Sequence, residues 1–252
     1  MVGYNFATGL PPPDLQALIE RAAADNMRLV GLSTELFDSY REIQPGQLQP
    51  GHGWLIQHRS LFTRPQQRLS EDLGIGTTFL PVEAIYKQGA LSAQPENAAD
   101  WMPLARVLDA GLPVSIATDN IPVSLFFAIW CCLARTDYQG RSFPSDEGTI
   151  SRLQAMEIAT IAAARCLGRQ DRIGSLSVGK LADLAVLNDD YLHCDLAAIA
   201  DIRSVATMVG GRWRHDRLGL QVQADGRAPR QATLSKSSPI MGHGTPIALP
   251  GC

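Results

Sequence analysis

Apolar residues fall into two alternating patterns along most of this chain. Leu15, Leu18, Ile19 and Ala22 recur at helical spacing behind Asp14, an N-cap residue after Pro11-Pro-Pro, and predict a helix over about 15–26. Four short apolar runs without a polar face predict buried strands: Arg28-Leu-Val-Gly31, Trp54-Leu-Ile-Gln-His58, Gly76-Thr-Thr-Phe-Leu80 and Pro113-Val-Ser-Ile-Ala117. Helical patterns cover Glu35 to Ile43, Pro65 to Leu73, Ala99 to Ala110 with Gly111 as its stop, and Val123 to Arg135. A long Ala-rich helix is predicted from Ser151 to Leu167, stopped by Gly168. Such alternation predicts an α/β fold, a parallel sheet covered by helices. Past Leu181 the pattern changes. Asp183 to Leu187, Ser204 to Val209 and, after Gly210-Gly211, Arg212-Trp-Arg-His215 predict a strand and a hairpin, a second and smaller β unit. From about Gln223 to Cys252 the chain is rich in Gly, Pro, Ser and Ala with few large apolar residues, which predicts a disordered tail.

With 252 residues and 45% hydrophobic content, the chain can bury one large core or two modest ones. A net charge of -3, without a basic stripe, excludes nothing about small ligands but gives no reason to expect a nucleic-acid partner. Met1-Val-Gly-Tyr-Asn-Phe has no charged region leading into an apolar one, so no signal peptide is expected. The longest apolar stretch, Ile121 to Ala134, is too short for a membrane span and reads as a buried helix. Five cysteines, with Cys131 and Cys132 adjacent and no C-x-x-C pair, argue against a disulfide framework and for core thiols. A cytoplasmic protein is expected.

Two residues stand out chemically. Asp119 follows the strand Pro113 to Ala117, and His58 ends the strand that begins at Trp54. In sheets of βα units, active groups gather where strands end and loops converge. A carboxylate there can bind a metal and move a proton, and an imidazole can bind the same metal. Each has a plainer reading: a strand-end Asp is a common turn or cap residue, and a lone His is often a hydrogen-bonded structural one. Gly179-Lys180 is followed by Leu181 where a phosphate loop needs Ser or Thr, so that reading is rejected. Cys131-Cys132 reads as helix packing, and His193, His215 and His243 have no partner at ligand spacing.

Four segments carry a family resemblance: Leu55-Ile-Gln-His58 with the helix after it, Leu108-Asp-Ala-Gly-Leu-Pro-Val-Ser-Ile-Ala-Thr-Asp119, Gly174-Ser-Leu-Ser-Val-Gly-Lys-Leu-Ala-Asp183, and Asp190-Tyr-Leu with Ile202 to Gly211. They resemble the C-terminal portion of the amidohydrolase superfamily, in the branch holding D-aminoacylases and N-substituted formamide deformylases. The resemblance implies the second half of a TIM-type (β/α)8 barrel over residues 1–173 and part of the small β domain over 174–222, ahead of the tail that composition predicts over 223–252. It implies hydrolysis of a carbon–nitrogen bond in a small-molecule amide, with Asp119 catalytic, His58 and Asp119 as metal ligands, and a divalent metal, zinc first. It also exposes a shortage. The family draws on a His-x-His pair, which this chain lacks, and Gly31 stands where a further His is expected. Glu35 or His52 is a possible substitute. Only four barrel strands are predicted where a whole barrel takes eight and at least about 200 residues. The rival expectation is therefore a non-catalytic truncated or split half-barrel, prone to self-association or completed by another chain; neither reading involves a membrane or nucleic acid.

Overall fold

The computed structural model describes residues 3–6, 12–31, 48, 51–89, 98–119, 122–143 and 145–220. Five strands form one parallel sheet in chain order: β1 (Gly3–Phe6), β2 (Arg28–Gly31), β3 (Leu55–Arg59), β4 (Gly76–Phe79) and β5 (Val114–Ile116). Between them lie α1 (Pro12–Ala24), α2 (Arg64–Leu73) and α3 (Leu104–Asp109). After β5 come α4 (Leu125–Ala134), α5 (Arg152–Ala159) and α6 (Ile161–Cys166). The fold is α/β, and all five strand ends point to one edge of the sheet. The expected helix over Glu35 to Ile43 and the tail from Gln223 lie outside the described residues.

Local chemistry explains these elements. α2 opens on a capping box in which Gln66 N–H donates to Thr63 Oγ1 at 3.4 Å and Thr63 N–H donates to Gln66 Oε1 at 3.0 Å. It closes at Gly74, left-handed at φ 68°. Leu15, Ile19 and Ala22 of α1 join Leu29 of β2 in the core, with Ile56, Phe79 and Val114 from the next strands. Strands β4 and β5 are buried at every position, as a sheet between covering layers requires. Gly76 is obligatory: a Cβ there would lie 2.6 Å from Leu55 Cδ2 and 2.9 Å from the Pro113 carbonyl. Thr78 and Ser115, register partners on β4 and β5, share a 2.8 Å hydroxyl hydrogen bond inside the sheet.

Four expectations need correction. β1 was not anticipated, since Gly-Tyr-Asn-Phe has no strand pattern of its own and is a strand by virtue of pairing with β2. The helix expected over Ala99 to Ala110 begins only at Leu104. Trp101 is drawn into a bridge with Leu61, and Met102 takes φ 46° as its N–H donates to the Ser60 carbonyl. The long helix expected over Ser151 to Leu167 breaks at Thr160 (φ -128°, ψ -92°), whose hydroxyl donates back to the Met156 carbonyl at 2.6 Å. A wide π-type turn, Val82–Lys87, follows β4 unannounced by any periodicity.

The remaining strands, β6 (Leu184–Leu187), β7 (Ser204–Val209) and β8 (Arg212–Asp216), form a separate antiparallel sheet in that order. Ala206 is the sole buried residue among its strands. A 3-10 turn, Leu196–Asp201, connects β6 to β7 and buries Ile199 and, just after it, Ile202 in the main core. No described helix is long and apolar enough to cross a membrane.

Candidate functional site

The two edges of the parallel sheet are built differently. At the edge where strands begin, the ring groups of His52 and Trp54 are bonded to the main chain. His52, just ahead of β3, is buried, and its Nδ1 accepts from the Trp54 N–H at 2.9 Å. Its Nε2 must then carry the proton, which it donates to the Leu73 carbonyl at 2.8 Å. Burial lowers the His52 pKa, opposed by the Leu73 hydrogen bond, so the ring is held neutral. Trp54, almost wholly buried, donates Nε1–H to the Met27 carbonyl at 2.8 Å. Both ring nitrogens of His52 are spoken for, at the wrong edge of the sheet. It does not substitute for a missing ligand at the other one.

At the edge where strands end, the chemistry is open. Asp119 lies just past β5, exposed, in the left-handed conformation at φ 58° that Asp adopts more readily than most residues. Among the described residues no hydrogen bond or ion pair of its carboxylate is found; the nearby Thr118 hydroxyl donates to its backbone carbonyl at 3.4 Å. His58 lies near the end of β3, two strands along the sheet from β5. The β3–β4 register slips between Ile56 and Arg59: Ile56 pairs with Thr77 but Arg59 with Phe79, so β3 carries one extra residue in the stretch containing His58. Such backbone irregularities are found beside active sites. The backbone thus brings the two candidates to one edge. Gly31 ends β2 on the same edge, sharing by strand alternation the face of buried Leu29. Glu35 lies outside the described residues.

The rim of this edge is rigidly held. Arg135, buried and left-handed at φ 46°, donates to the carbonyls of Phe143 (2.7 Å), Trp101 (3.0 Å) and Met102 (3.2 Å). Arg106 donates to the Phe62 carbonyl and to Asp100 Oδ1. An aromatic cluster borders the same rim: Tyr86 of the wide turn after β4 meets Phe127 of α4 at 5.0 Å between ring centroids, and Tyr138 at 6.5 Å. Sequence reasoning missed these residues, because they come from three segments with no shared spacing. Among the described residues, no three His, Cys, Asp or Glu side chains are grouped to hold a metal ion. Catalytic zinc takes three protein ligands and a water, so the described donor set does not by itself fit one.

Residues 56–215 match the model of the family described as amidohydrolase. An N-substituted formamide deformylase from Arthrobacter pascens is 32% identical over 120 residues, 46% of this chain and 22% of that protein. An S-triazine hydrolase from Gordonia rubripertincta is 32% identical over 123 residues, 47% of this chain and 25% of that protein. The crystal structure of an adenosine deaminase from Xanthomonas campestris with bound zinc superposes with a TM-score of 0.57 at 17% identity, over 85% of this chain and 51% of that one. At this identity the superposition speaks for the fold. The chain spans about half of the solved structure and about a quarter or less of each curated relative.

Proposed function

This chain belongs to the amidohydrolase family, and on that premise we propose that it supplies the proton-transfer side of a hydrolase acting on the carbon–nitrogen bond of a small amide. Asp119 carries the proposal: a carboxylate at the strand-end edge with no partner among the described residues, beside a rim tied by the Arg135 hydrogen bonds. In this reading residues 1–173 are the second half of a (β/α)8 barrel and residues 174–222 part of a small β domain. The parallel order β1 to β5 and the superposition on about half of the zinc-bound adenosine deaminase support it.

The chemistry assigned to the chain's own residues is a proton relay. Asp119 accepts a proton from the attacking water as the new C–O bond forms, then delivers it to the amide nitrogen as the C–N bond breaks. The products are a carboxylic acid and an amine. His58 and Asp119 are the positions offered to a divalent metal, zinc in the solved neighbour. An N-substituted formamide is the substrate class to try first, after the deformylase relative. Purified protein, supplied with a large molar excess of zinc, is expected to release amine from such a compound. Asp119→Asn is expected to lower the rate at least ~100-fold.

A second reading has its own observation. Among the described residues, the shortage of metal donors and the absence of strands beyond β1 and β5 favour a non-catalytic partial barrel. Amine release no faster than that of Asp119→Asn, from protein of native circular dichroism, would select it.

A further inference from the structure

We infer that the strand-end edge of the parallel sheet is an incomplete metal site: among the described residues His58 and Asp119 are offered to it, the chain does not hold a divalent cation tightly by itself, and at least one further donor is needed from polypeptide lying beyond β1 or β5. The inference rests on the hydrolytic reading of that edge and deepens it.

Of five histidines, His52 is locked at the opposite edge by two hydrogen bonds. His193 sits on an exposed turn, paired with Asp190 at 2.8 Å. His215 belongs to β8 of the small sheet, in register with Thr207. His243 lies outside the described residues. Among the described histidines, that leaves His58 at the edge where Asp119 lies. The described cysteines offer no replacement. A metal takes the thiolate, yet Cys131 and Cys132 are buried in α4, and burial pushes the Cys132 thiol up to about 12. Cys166 is buried in α6 beside Ser115, its thiol raised by burial to about 11. Cys194 lies against Arg152 and the Tyr191 carbonyl, and Cys252 lies outside the described residues.

Carboxylates beside the edge are engaged too. Glu83 of the wide turn pairs with Lys87 at 3.0 Å and accepts from Gln88 at 2.7 Å. Asp137 is buried, accepting from the Gln139 and Arg141 backbone N–H groups and from the Arg141 guanidinium. Two donors fall short of the three that a catalytic zinc site draws from protein. The sheet shows where others can enter. Among the described residues β1 and β5 each pair on one side only, which leaves both flanks to further parallel strands. The zinc-bound deaminase, of which this chain covers 51%, carries about as much chain again.

The test uses the 252-residue chain and zinc alone. Protein is incubated with a small excess of Zn2+, gel-filtered, and its metal content measured by mass spectrometry, alongside His58→Asn, Asp119→Asn and Glu35→Gln of matching circular dichroism. Retention below about 0.1 equivalent is expected for all four proteins. About one equivalent that falls in any of the three variants would overturn the inference, since the chain would then own a complete site. Metal retained equally by all four lies elsewhere and supports it. The hydrolytic reading fails separately: tight zinc with amine release overturns only the inference, whereas weak zinc without amine release at excess metal overturns only the reading.

Discussion

The two edges of one parallel sheet teach how this chain divides stability from chemistry. Where strands begin, His52 and Trp54 are buried and their ring N–H groups bonded to main-chain carbonyls. Where they end, Asp119 is exposed, left-handed and without a side-chain partner among the described residues. In βα barrels, residues at the first edge serve stability and residues at the second serve reaction. The contrast assigns opposite consequences to substitutions at the two edges.

Trp54→Ala is expected to have the largest effect on folding, about 3–5 kcal/mol, by opening a cavity in the core. Urea unfolding checks it; a loss confined to a few tenths of a kcal/mol would put Trp54 outside the core. Next comes His52→Leu, which orphans the Trp54 N–H and the Leu73 carbonyl and is expected to cost about 1–3 kcal/mol. His52 also gives the fold a pH signature. Its folded pKa lies below the ordinary 6.5, so as pH falls through that value the unfolded chain takes up a proton that the folded chain does not. Stability is therefore expected to decline as pH drops below about 6.5, levelling off beneath the folded pKa. Unfolding curves between pH 7.5 and 5.5 should show the decline in the parent (a range of about one pH unit either side of the free His value) and a shallower one in His52→Gln. Thr78→Val, midway along the sheet, removes one buried hydroxyl pair and is expected to cost about 1 kcal/mol, read from the same curves.

The fold was legible wherever the sequence pattern was self-sufficient. β2 to β5 are apolar runs framed by turn residues, and α2 announces itself by Thr63, Pro65 and Gly74. Elements created by tertiary pairing were not legible. β1 is a strand because β2 lies beside it, Met102 is left-handed because Ser60 takes its N–H, and Thr160 breaks a helix by a back-bond that composition conceals. The site divides in the same way. Asp119 and His58 are visible as strand ends, while the rim depends on Arg135 reaching carbonyls about thirty residues upstream, such as Trp101. Glu35 and the tail, both weighed from sequence, fall outside the described residues.

The most direct test of the central claim takes both readouts on one variant. Asn accepts the left-handed backbone of Asp119, so Asp119→Asn is expected to leave unfolding stability within about 0.5 kcal/mol of the parent. Amine release from an N-substituted formamide at excess zinc should meanwhile fall at least ~100-fold. A stable variant that has lost its chemistry is the predicted result. A variant that unfolds more easily, or that releases amine at the parent rate, would contradict the account.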